Sequence, residues 1–438
     1  MMESELISAL TLFGAFFLLM FIGVPVAFAI GIATVVTFTL FLTFDQSIFN
    51  TAQQLASGLD SFTLLAVPFF ILAGNIMNRG GIALRLIEFA KVLGGRLPGS
   101  LAHCNVLANM MFGAISGSAV AAAAAVGGVM APLQKKEGYD PAFSAAVNIA
   151  SCPTGLLIPP STTFIVFSLI SGGTSIAALF VAGYVPGILM GLGIMIIAGI
   201  VAKKRGYPVA PRPSWKEVAS KTGDAILPLG LIVVIMGGII GGAFTATEAS
   251  AVAVVYTLIL ALFWYREIGV KDLPAIFLES AVTTSIVLLM IGCSIAMSRV
   301  MAFADIPFTV SDLLLSLSDN PLVLLLIINI ALLIVGMFMD MTPALLIFTP
   351  IFLPVVKDLG MDPVHFGVMM TFNLCIGICT PPVGSALFVG CSVAKVSIAR
   401  VIRPLLPMMA MQLAVLLLIT YVPDLSLALP RLLLGYGG

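Results

Sequence analysis

The sequence predicts an all-α polytopic membrane protein with about ten spans, two re-entrant helical hairpins and inverted-topology repeats. Hydrophobic residues make up 60% of the 438 residues and charged residues only 9%, with a mean hydropathy of +1.18. A soluble domain does not have this composition. In addition, two apolar stretches are each interrupted by Gly and Pro, and they occupy matching places in the two halves of the chain. This pairing is typical of transporters built from repeats.

The internal repeat has an offset of 222 residues and divides the chain into residues 1–222 and 223–438. The matching positions are Pro132, Gly138, Asp140, Pro141, Pro159 and Pro160, which fall on Pro354, Gly360, Asp362, Pro363, Pro381 and Pro382. Broken segments at corresponding positions of two halves indicate where a transporter binds its cargo.

The first repeat is predicted to contain scaffold spans within 6–77, an interfacial helix at 78–98, a hairpin at 97–138, a broken span at 141–172 and a span at 176–202. The interfacial helix is indicated by Arg79, Arg85, Lys91 and Arg96 between apolar residues. Residues 97–134 carry no charge, and as one straight helix they would be roughly 57 Å long, far beyond a membrane core of about 30 Å. A re-entrant hairpin therefore fits this stretch.

The second repeat is predicted to contain scaffold spans within 224–300, an interfacial segment at 304–317, a hairpin at 322–360, a broken span at 363–394 and a span at 404–422. A basic loop at 203–221, which includes Arg212, separates the two repeats. With this loop in the cytoplasm, all but three of the 20 Lys and Arg residues fall on the cytoplasmic side, as the positive-inside rule requires. The three exceptions are Arg299, Lys357 and Arg431. The first hairpin then enters from the cytoplasm and the second from outside.

Asp340 is the one charge within the apolar run from Leu322 to Val356. An ionisable residue at membrane depth indicates a functional site, and oxygen ligands at broken helices suit Na⁺. The predicted sodium-binding residues are Ser116, Ser118, Thr154, Gly155, Asp340, Thr342, Gly377 and Thr380. The predicted substrate-binding residues, at the two Pro-Pro breaks, are Pro160, Ser161, Thr162, Pro382, Gly384 and Ser385. No nucleotide, catalytic or metal-enzyme motif occurs, so neither an enzyme nor a cofactor other than Na⁺ as coupling ion is expected.

Several motifs resemble the large membrane subunit of the tripartite ATP-independent periplasmic (TRAP) transporters. They are Phe69–Met77, Ser116–Ser118, Leu157–Ser161, Phe244–Ala249 and Thr380–Gly384. The resemblance implies an elevator-type fold of the ion-transporter superfamily in the bacterial inner membrane, and Na⁺-driven import of an organic acid. It also implies two partners, a small four-span membrane subunit and a periplasmic substrate-binding protein, and no nucleic acid.

Other readings stay open at this point. The second class of function is a channel or a structural membrane scaffold. The inverted broken spans favour a symporter over this class, because a simple scaffold has no need of a mid-membrane carboxylate. A stand-alone divalent-anion/Na⁺ symporter is the runner-up among carriers. For the substrate, the hydroxyls of Ser161, Thr162 and Thr163 favour an acidic sugar such as sialic acid over a C4-dicarboxylate.

The inverted topology can be tested by cysteine labelling. A cysteine placed beside Gly138 or Ser214 is expected to react with an impermeant reagent from the cytoplasm, and one beside Gly360 from outside. The unsubstituted chain is the control, because its six cysteines lie in apolar segments. Labelling of the sites near Gly138 and Gly360 from the same side would refute the inversion.

Overall fold

The computed structural model describes residues 2–95, 97–209, 214–318 and 320–437. Every regular element in these ranges is a helix. Eight of the described helices are long and apolar enough to cross a membrane, and one bent pair makes a ninth candidate. The predicted all-α membrane fold is therefore confirmed. Arg96 and Arg212 lie outside the described residues.

The chain begins with five helices that precede the first hairpin: α1 (Met2–Phe21), α2 (Val26–Phe38), α3 (Phe44–Leu59), α4 (Ala66–Arg79) and α5 (Ile82–Gly94). Helix α3 lies within 6–77, where only apolar scaffold spans were predicted, and it occupies a polar stretch of that range. It starts where the Gln46 side chain accepts a hydrogen bond from the backbone of Thr43 at 3.2 Å. Helix α5 lies within the predicted interfacial segment.

Both re-entrant segments are helical hairpins with two-residue tips. Hairpin one consists of α6 (Ser100–Ser116) and α7 (Ala119–Lys136). Much later in the chain, hairpin two consists of α16 (Pro321–Phe338) and α17 (Met341–Asp358). Each tip therefore places the C-terminus of one helix beside the N-terminus of the next.

Each hairpin is followed by a broken span. The first contains α8 (Pro141–Ser151), α9 (Thr154–Leu157) and α10 (Thr162–Ile170), with a bend of 53° between its two parts. The second contains α18 (Pro363–Gly377) and α19 (Ser385–Ala394). The breaks fall at the Pro-Pro pairs because proline lacks the N–H that would continue the helix and collides with the preceding turn.

The remaining helices lie between and after these units. They are α11 (Ile176–Arg205), α12 (Trp215–Ile240), α13 (Ala246–Ile259), α14 (Leu273–Phe303), α15 (Ile306–Leu317), α20 (Ile398–Tyr421) and α21 (Asp424–Leu434). Both ends of the predicted basic loop are helical, with residues 203–205 in α11 and residues 215–221 in α12. Ser214 starts α12 early by accepting the backbone N–H of Glu217 at 3.1 Å, so the division at 222/223 falls inside this helix. Helix α21 was not anticipated.

Helix starts repeat at the offset seen in the sequence. Helices α7 and α17 start at Ala119 and Met341, α8 and α18 at Pro141 and Pro363, and α11 and α20 at Ile176 and Ile398. The direction in which each hairpin enters the membrane stays a prediction.

The helices pack as two groups. Helices α2, α3 and α4 pack on α14, α13 packs on α4, and α5 packs on α12. The hairpins and broken spans pack among themselves and on α11, α20 and α21. The groups meet mainly where α5 and α4 contact α6, and where α14 and α15 contact α17.

Glycine pairs bring each hairpin against its broken span. A Cβ atom built on Gly155 would lie 2.2 Å from the Cα of Gly113, and one built on Gly377 would lie 2.6 Å from the Cα of Gly336. Real Cβ atoms do not approach other atoms so closely, so glycine is required for these backbones to touch.

Buried asparagines lie beside both glycine contacts. The Asn109 side-chain nitrogen donates to the Asn148 side-chain oxygen at 3.0 Å and to the Ser151 hydroxyl at 2.7 Å. In the second unit the Asn373 side-chain nitrogen donates to the Asn329 side-chain oxygen at 2.9 Å. Because buried polar groups need partners, these bonds fix the position of the first helix of each hairpin along its broken span.

The close approach predicts the effect of a methyl group. In Gly113→Ala the new Cβ would lie 2.8 Å from the Cα of Gly155, so the two backbones must separate. We expect a loss of roughly 1–3 kcal/mol, seen as a lower thermal unfolding temperature in detergent. Gly128→Ala in α7 is the control, since its Cβ meets no atom within 4 Å. Equal unfolding temperatures for Gly113→Ala and the unsubstituted protein would contradict the packing.

Candidate functional site

A cavity of about 370 Å³ lies between the two hairpin tips and helices α4 and α14. Its lining residues are Val67, Ile71, Gly74, Asn75, Asn78, Ser116, Gly117, Ser118, Ala121, Thr162, Thr283, Val287, Asp340 and Thr342. The structure thus brings together four predicted sodium-binding residues, Ser116, Ser118, Asp340 and Thr342. Asp340 is the one charged residue in this lining.

The tip of hairpin one offers neutral oxygen atoms. The Ser118 hydroxyl accepts the backbone N–H of Ala121 at 3.2 Å and so caps α7. The Ser116 hydroxyl makes a long contact, 3.5 Å, to the Ser118 carbonyl. A hydroxyl has two acceptor lone pairs, so both serines retain capacity to bind a cation.

The tip of hairpin two carries a formal negative charge. Asp340 is the N-cap residue of α17 and is exposed to the cavity rather than enclosed by apolar side chains. Its carboxylate accepts a hydrogen bond from the Ser385 hydroxyl at 2.9 Å. The N-terminus of α17 favours a carboxylate here, and the C-terminal carbonyl groups of α16 add negative partial charge nearby. This tip is therefore suited to a cation.

Thr162 connects the first broken span to the cavity. Its hydroxyl donates to the Gly117 carbonyl at 3.3 Å, at the tip of hairpin one. Thr162 is the one predicted substrate residue in the cavity lining. Its position at the start of α10 places it beside the predicted sodium ligands of hairpin one.

The other sodium candidates lie behind the tips. The Thr154 hydroxyl is fully buried and donates to the Ser151 carbonyl at 2.6 Å, and the Thr380 hydroxyl donates to the Ile376 carbonyl at 2.7 Å. Gly155 and Gly377 form the glycine contacts described above. These four residues belong to the breaks that support the tips and do not line the cavity.

The remaining substrate candidates are divided between the interior and the surface. Ser161 is fully buried and donates to the Leu156 carbonyl, and Pro160 is buried beside it. Gly384 is also buried, and a Cβ there would lie 2.7 Å from the Ile378 carbonyl. Pro382 is exposed, while Ser385 forms the bond to Asp340.

The sequence analysis missed the wall opposite the hairpins. Asn75 and Asn78 in α4, with Thr283 and Val287 in α14, line this side. The Asn75 side-chain nitrogen donates to the Ser280 hydroxyl at 2.8 Å and joins the two helices. A signal was present, because two amides three residues apart in an apolar helix share one face.

A protein-family model, the DctM component of the tripartite ATP-independent periplasmic transporter, matches residues 13–425. Uncharacterized protein YgiK of Salmonella typhimurium is 58% identical over 97% of both chains. The sialic acid TRAP transporter large permease protein SiaM of Vibrio cholerae is 41% identical over 96% of this chain and 97% of the relative. The C4-dicarboxylate TRAP transporter large permease protein DctM of Pseudomonas aeruginosa is 41% identical over 92% and 94%.

Among solved structures, the YdaH transporter of Alcanivorax borkumensis is similar in fold. Its TM-score is 0.63 at 14% sequence identity, covering 91% of this chain and 90% of that one. At this identity the likeness concerns the fold alone, and it agrees with the arrangement of helices described above.

Proposed function

The chain belongs to the DctM family of TRAP transporter large permeases, proteins of the bacterial inner membrane, and from this premise we propose that it couples Na⁺ entry to the import of an organic acid. The observation that carries the proposal is the meeting of both hairpin tips at one cavity, with Asp340 as the one charge in its lining. A hard cation such as Na⁺ suits carboxylate, hydroxyl and carbonyl oxygens.

The proposed substrate is an acidic sugar such as sialic acid. The cavity lining contains hydroxyl and amide groups but no Lys or Arg among the described residues. A C4-dicarboxylate, the alternative, would bring two negative charges to a wall without a fixed cation. Of the hydroxyl residues Ser161, Thr162 and Thr163, Thr162 alone lines the cavity. The amides of Asn75 and Asn78, which can bond the hydroxyls of a sugar, therefore support the acidic-sugar proposal more strongly.

Large permeases of this family work with a small membrane subunit and a periplasmic binding protein. We propose that the small subunit has four spans and extends the scaffold, and that the binding protein delivers substrate at the outer face. Co-purification with a small subunit would separate this assembly from a stand-alone symporter.

We also propose an elevator movement. Helices α6–α11 and α16–α21 would move as one transport body, because each hairpin is joined to its broken span by glycine contacts and asparagine bonds. Helices α1–α5 and α12–α15 would stay fixed as the scaffold. The cavity lies between these two bodies, so movement would expose its contents to one side of the membrane at a time.

Asp340→Asn tests the ion site. The substitution keeps the side-chain shape and removes the charge, so Na⁺-dependent uptake into proteoliposomes should be abolished or strongly reduced, without a requirement for ATP in any sample. Ser116→Ala and Ser118→Ala should reduce uptake less, since each removes one neutral ligand.

Asp358→Asn is the matched control, because it removes the same charge from the exposed far end of α17. A thermal-shift assay in Na⁺ and in K⁺ reports binding separately from transport. Unaltered Na⁺ dependence in Asp340→Asn would make the carboxylate structural, and unchanged uptake on replacing Na⁺ by K⁺ would exclude sodium coupling.

A disulfide tests the movement. A cysteine at Gly94 in α5 would place its Cβ 2.9 Å from the Sγ of native Cys104 in α6, within reach of a disulfide. Oxidation should join scaffold and transport body, stop uptake, and be reversed by reduction.

Gly31→Cys provides the control for this cross-link. Its Cβ would lie 3.3 Å from the Sγ of native Cys293, and the bond would join α2 to α14 within the scaffold. Uptake should continue when this second cross-link is verified. Full uptake in oxidised, verified Gly94→Cys would rule out movement of hairpin one against α5.

A further inference from the structure

The first helix of the first broken span stops one turn earlier than its counterpart in the second. Helix α8 ends at Ser151, whereas α18 continues past Asn373, the residue that matches Ser151 in the repeat, to Gly377. The difference has a cause in the sequence, because Pro153 follows α8 and the matching residue of the second repeat is Cys375. Proline has no N–H, so it cannot donate to the carbonyl four residues before it.

The carbonyl that Pro153 leaves free belongs to Ile149, and thiols bond it instead. It accepts a hydrogen bond from the Cys152 thiol at 3.3 Å and another from the Cys379 thiol at 3.0 Å. A carbonyl oxygen has two lone pairs, so both bonds can form together. Cys152 is local to this break, but Cys379 comes from the break of the second repeat.

The next carbonyl, that of Ala150, is also bonded by the second repeat. It accepts the side-chain N–H of Gln412 at 2.9 Å. Gln412 lies in α20 and is fully buried, and among the described residues this bond is the one hydrogen bond of its amide. The matching residue of the first repeat is the apolar Met190. Since burying an amide is costly unless it is hydrogen-bonded, the bond to Ala150 gives the glutamine its place in this helix.

The second break is bonded within its own segment. The Leu374 carbonyl accepts the backbone N–H of Ile378 at 3.1 Å. The Gly377 carbonyl accepts the backbone N–H of Thr380 at 2.9 Å. The two breaks therefore differ, because the end of α8 takes donors from the other repeat while the end of α18 uses donors that follow it in the chain.

The bonded carbonyls lie directly before predicted sodium ligands. Thr154 and Gly155 open the short helix α9, and Gly155 touches the backbone of Gly113 in hairpin one. The tip of that hairpin, with Ser116 and Ser118, starts three residues further along the chain. A displacement of the end of α8 would therefore move α9 and, through the glycine contact, the oxygen atoms of the tip.

We propose that Cys379 and Gln412 are positioning residues for the sodium ligands of hairpin one. By holding the last carbonyls of α8, they make the Na⁺ affinity of a site in the first repeat depend on the second repeat. This inference rests on the proposed sodium coupling and adds to it two residues that do not touch the ion.

Gln412→Met removes the amide with little change in volume and leaves the Ala150 carbonyl unpaired. Uptake into proteoliposomes should then need a roughly fivefold higher Na⁺ concentration for half saturation, the effect of losing one ordinary hydrogen bond. Cys379→Ala should raise this concentration about twofold, since the Cys152 thiol still donates to the Ile149 carbonyl. Cys379→Ser keeps a donor and should restore the value of the unsubstituted chain.

A thermal-shift assay of the same variants in Na⁺ and in K⁺ separates positioning from general support of the fold. Loss of positioning should reduce the rise in unfolding temperature that Na⁺ produces over K⁺. Equal lowering of the unfolding temperature in both salts, with an unchanged Na⁺ half saturation, would show a purely structural role and overturn the proposal. Cys379→Ala, the milder change, keeps the test decisive if Gln412→Met does not fold.

Cys293→Ala is the matched control, because it removes a buried thiol from α14 in the scaffold. Its Na⁺ half saturation should equal that of the unsubstituted chain, and a shift as large as that of Cys379→Ala would contradict the assignment. Na⁺-independent uptake by the unsubstituted chain would refute the proposed function and this inference with it. Na⁺-dependent uptake with the same half saturation in every variant would refute the inference alone.

Discussion

The fold depends on hydrogen-bond partners for the free backbone N–H and C=O groups at the breaks of the two broken spans, because a membrane interior offers little water to replace them. An unpaired peptide group in hydrocarbon costs several kcal/mol, so irregular backbone survives only where protein covers it or a cavity hydrates it. Side chains supply part of this need: the Ser161 and Thr380 hydroxyls donate to the carbonyls of Leu156 and Ile376. The Ile378 carbonyl accepts the backbone N–H of Ala386 at 3.1 Å, at the start of α19.

The hairpins protect the remaining backbone groups at the breaks by packing directly over them. Backbone contact at Gly113–Gly155 and at Gly336–Gly377 leaves no room for lipid or water between each hairpin and its broken span. The asparagine bonds fix the position of these contacts, so that two-residue tips point into a shared cavity. The same packing that makes the breaks tolerable thus also assembles the proposed ion ligands.

Much of this arrangement could be predicted from sequence because it follows from length and charge. A charge-free run too long for a single span predicted hairpin one, and the matching apolar run around Asp340 predicted hairpin two. The repeated Gly and Pro predicted the breaks. Helix α3 was not predicted because its polar composition obscures a short amphipathic pattern. The start of α12 was not predicted because the Lys and Pro residues before it are typical of a loop.

The site was only partly predictable, since residue type does not determine which way a side chain points. Ser161 and Thr162 are adjacent hydroxyl residues, but one is buried against backbone and the other lines the cavity. Likewise, the contribution of Asn75 depends on tertiary packing that brings α4 opposite the hairpin tips. Asp340 was predictable because a lone charge in an apolar run has few structural explanations.

The unequal charge of the two tips has an electrical consequence. Hairpin one presents hydroxyls, whereas hairpin two presents a carboxylate, so in the proposed movement the unloaded transport body carries a net negative charge at its centre. One elementary charge crossing a full membrane potential of 100 mV is worth about 2.3 kcal/mol. An inside-negative potential would draw the empty body outward, and Na⁺ bound at Asp340 would cancel that charge for the inward step. The voltage of the cell would then act on the return of the carrier as well as on the ions it imports.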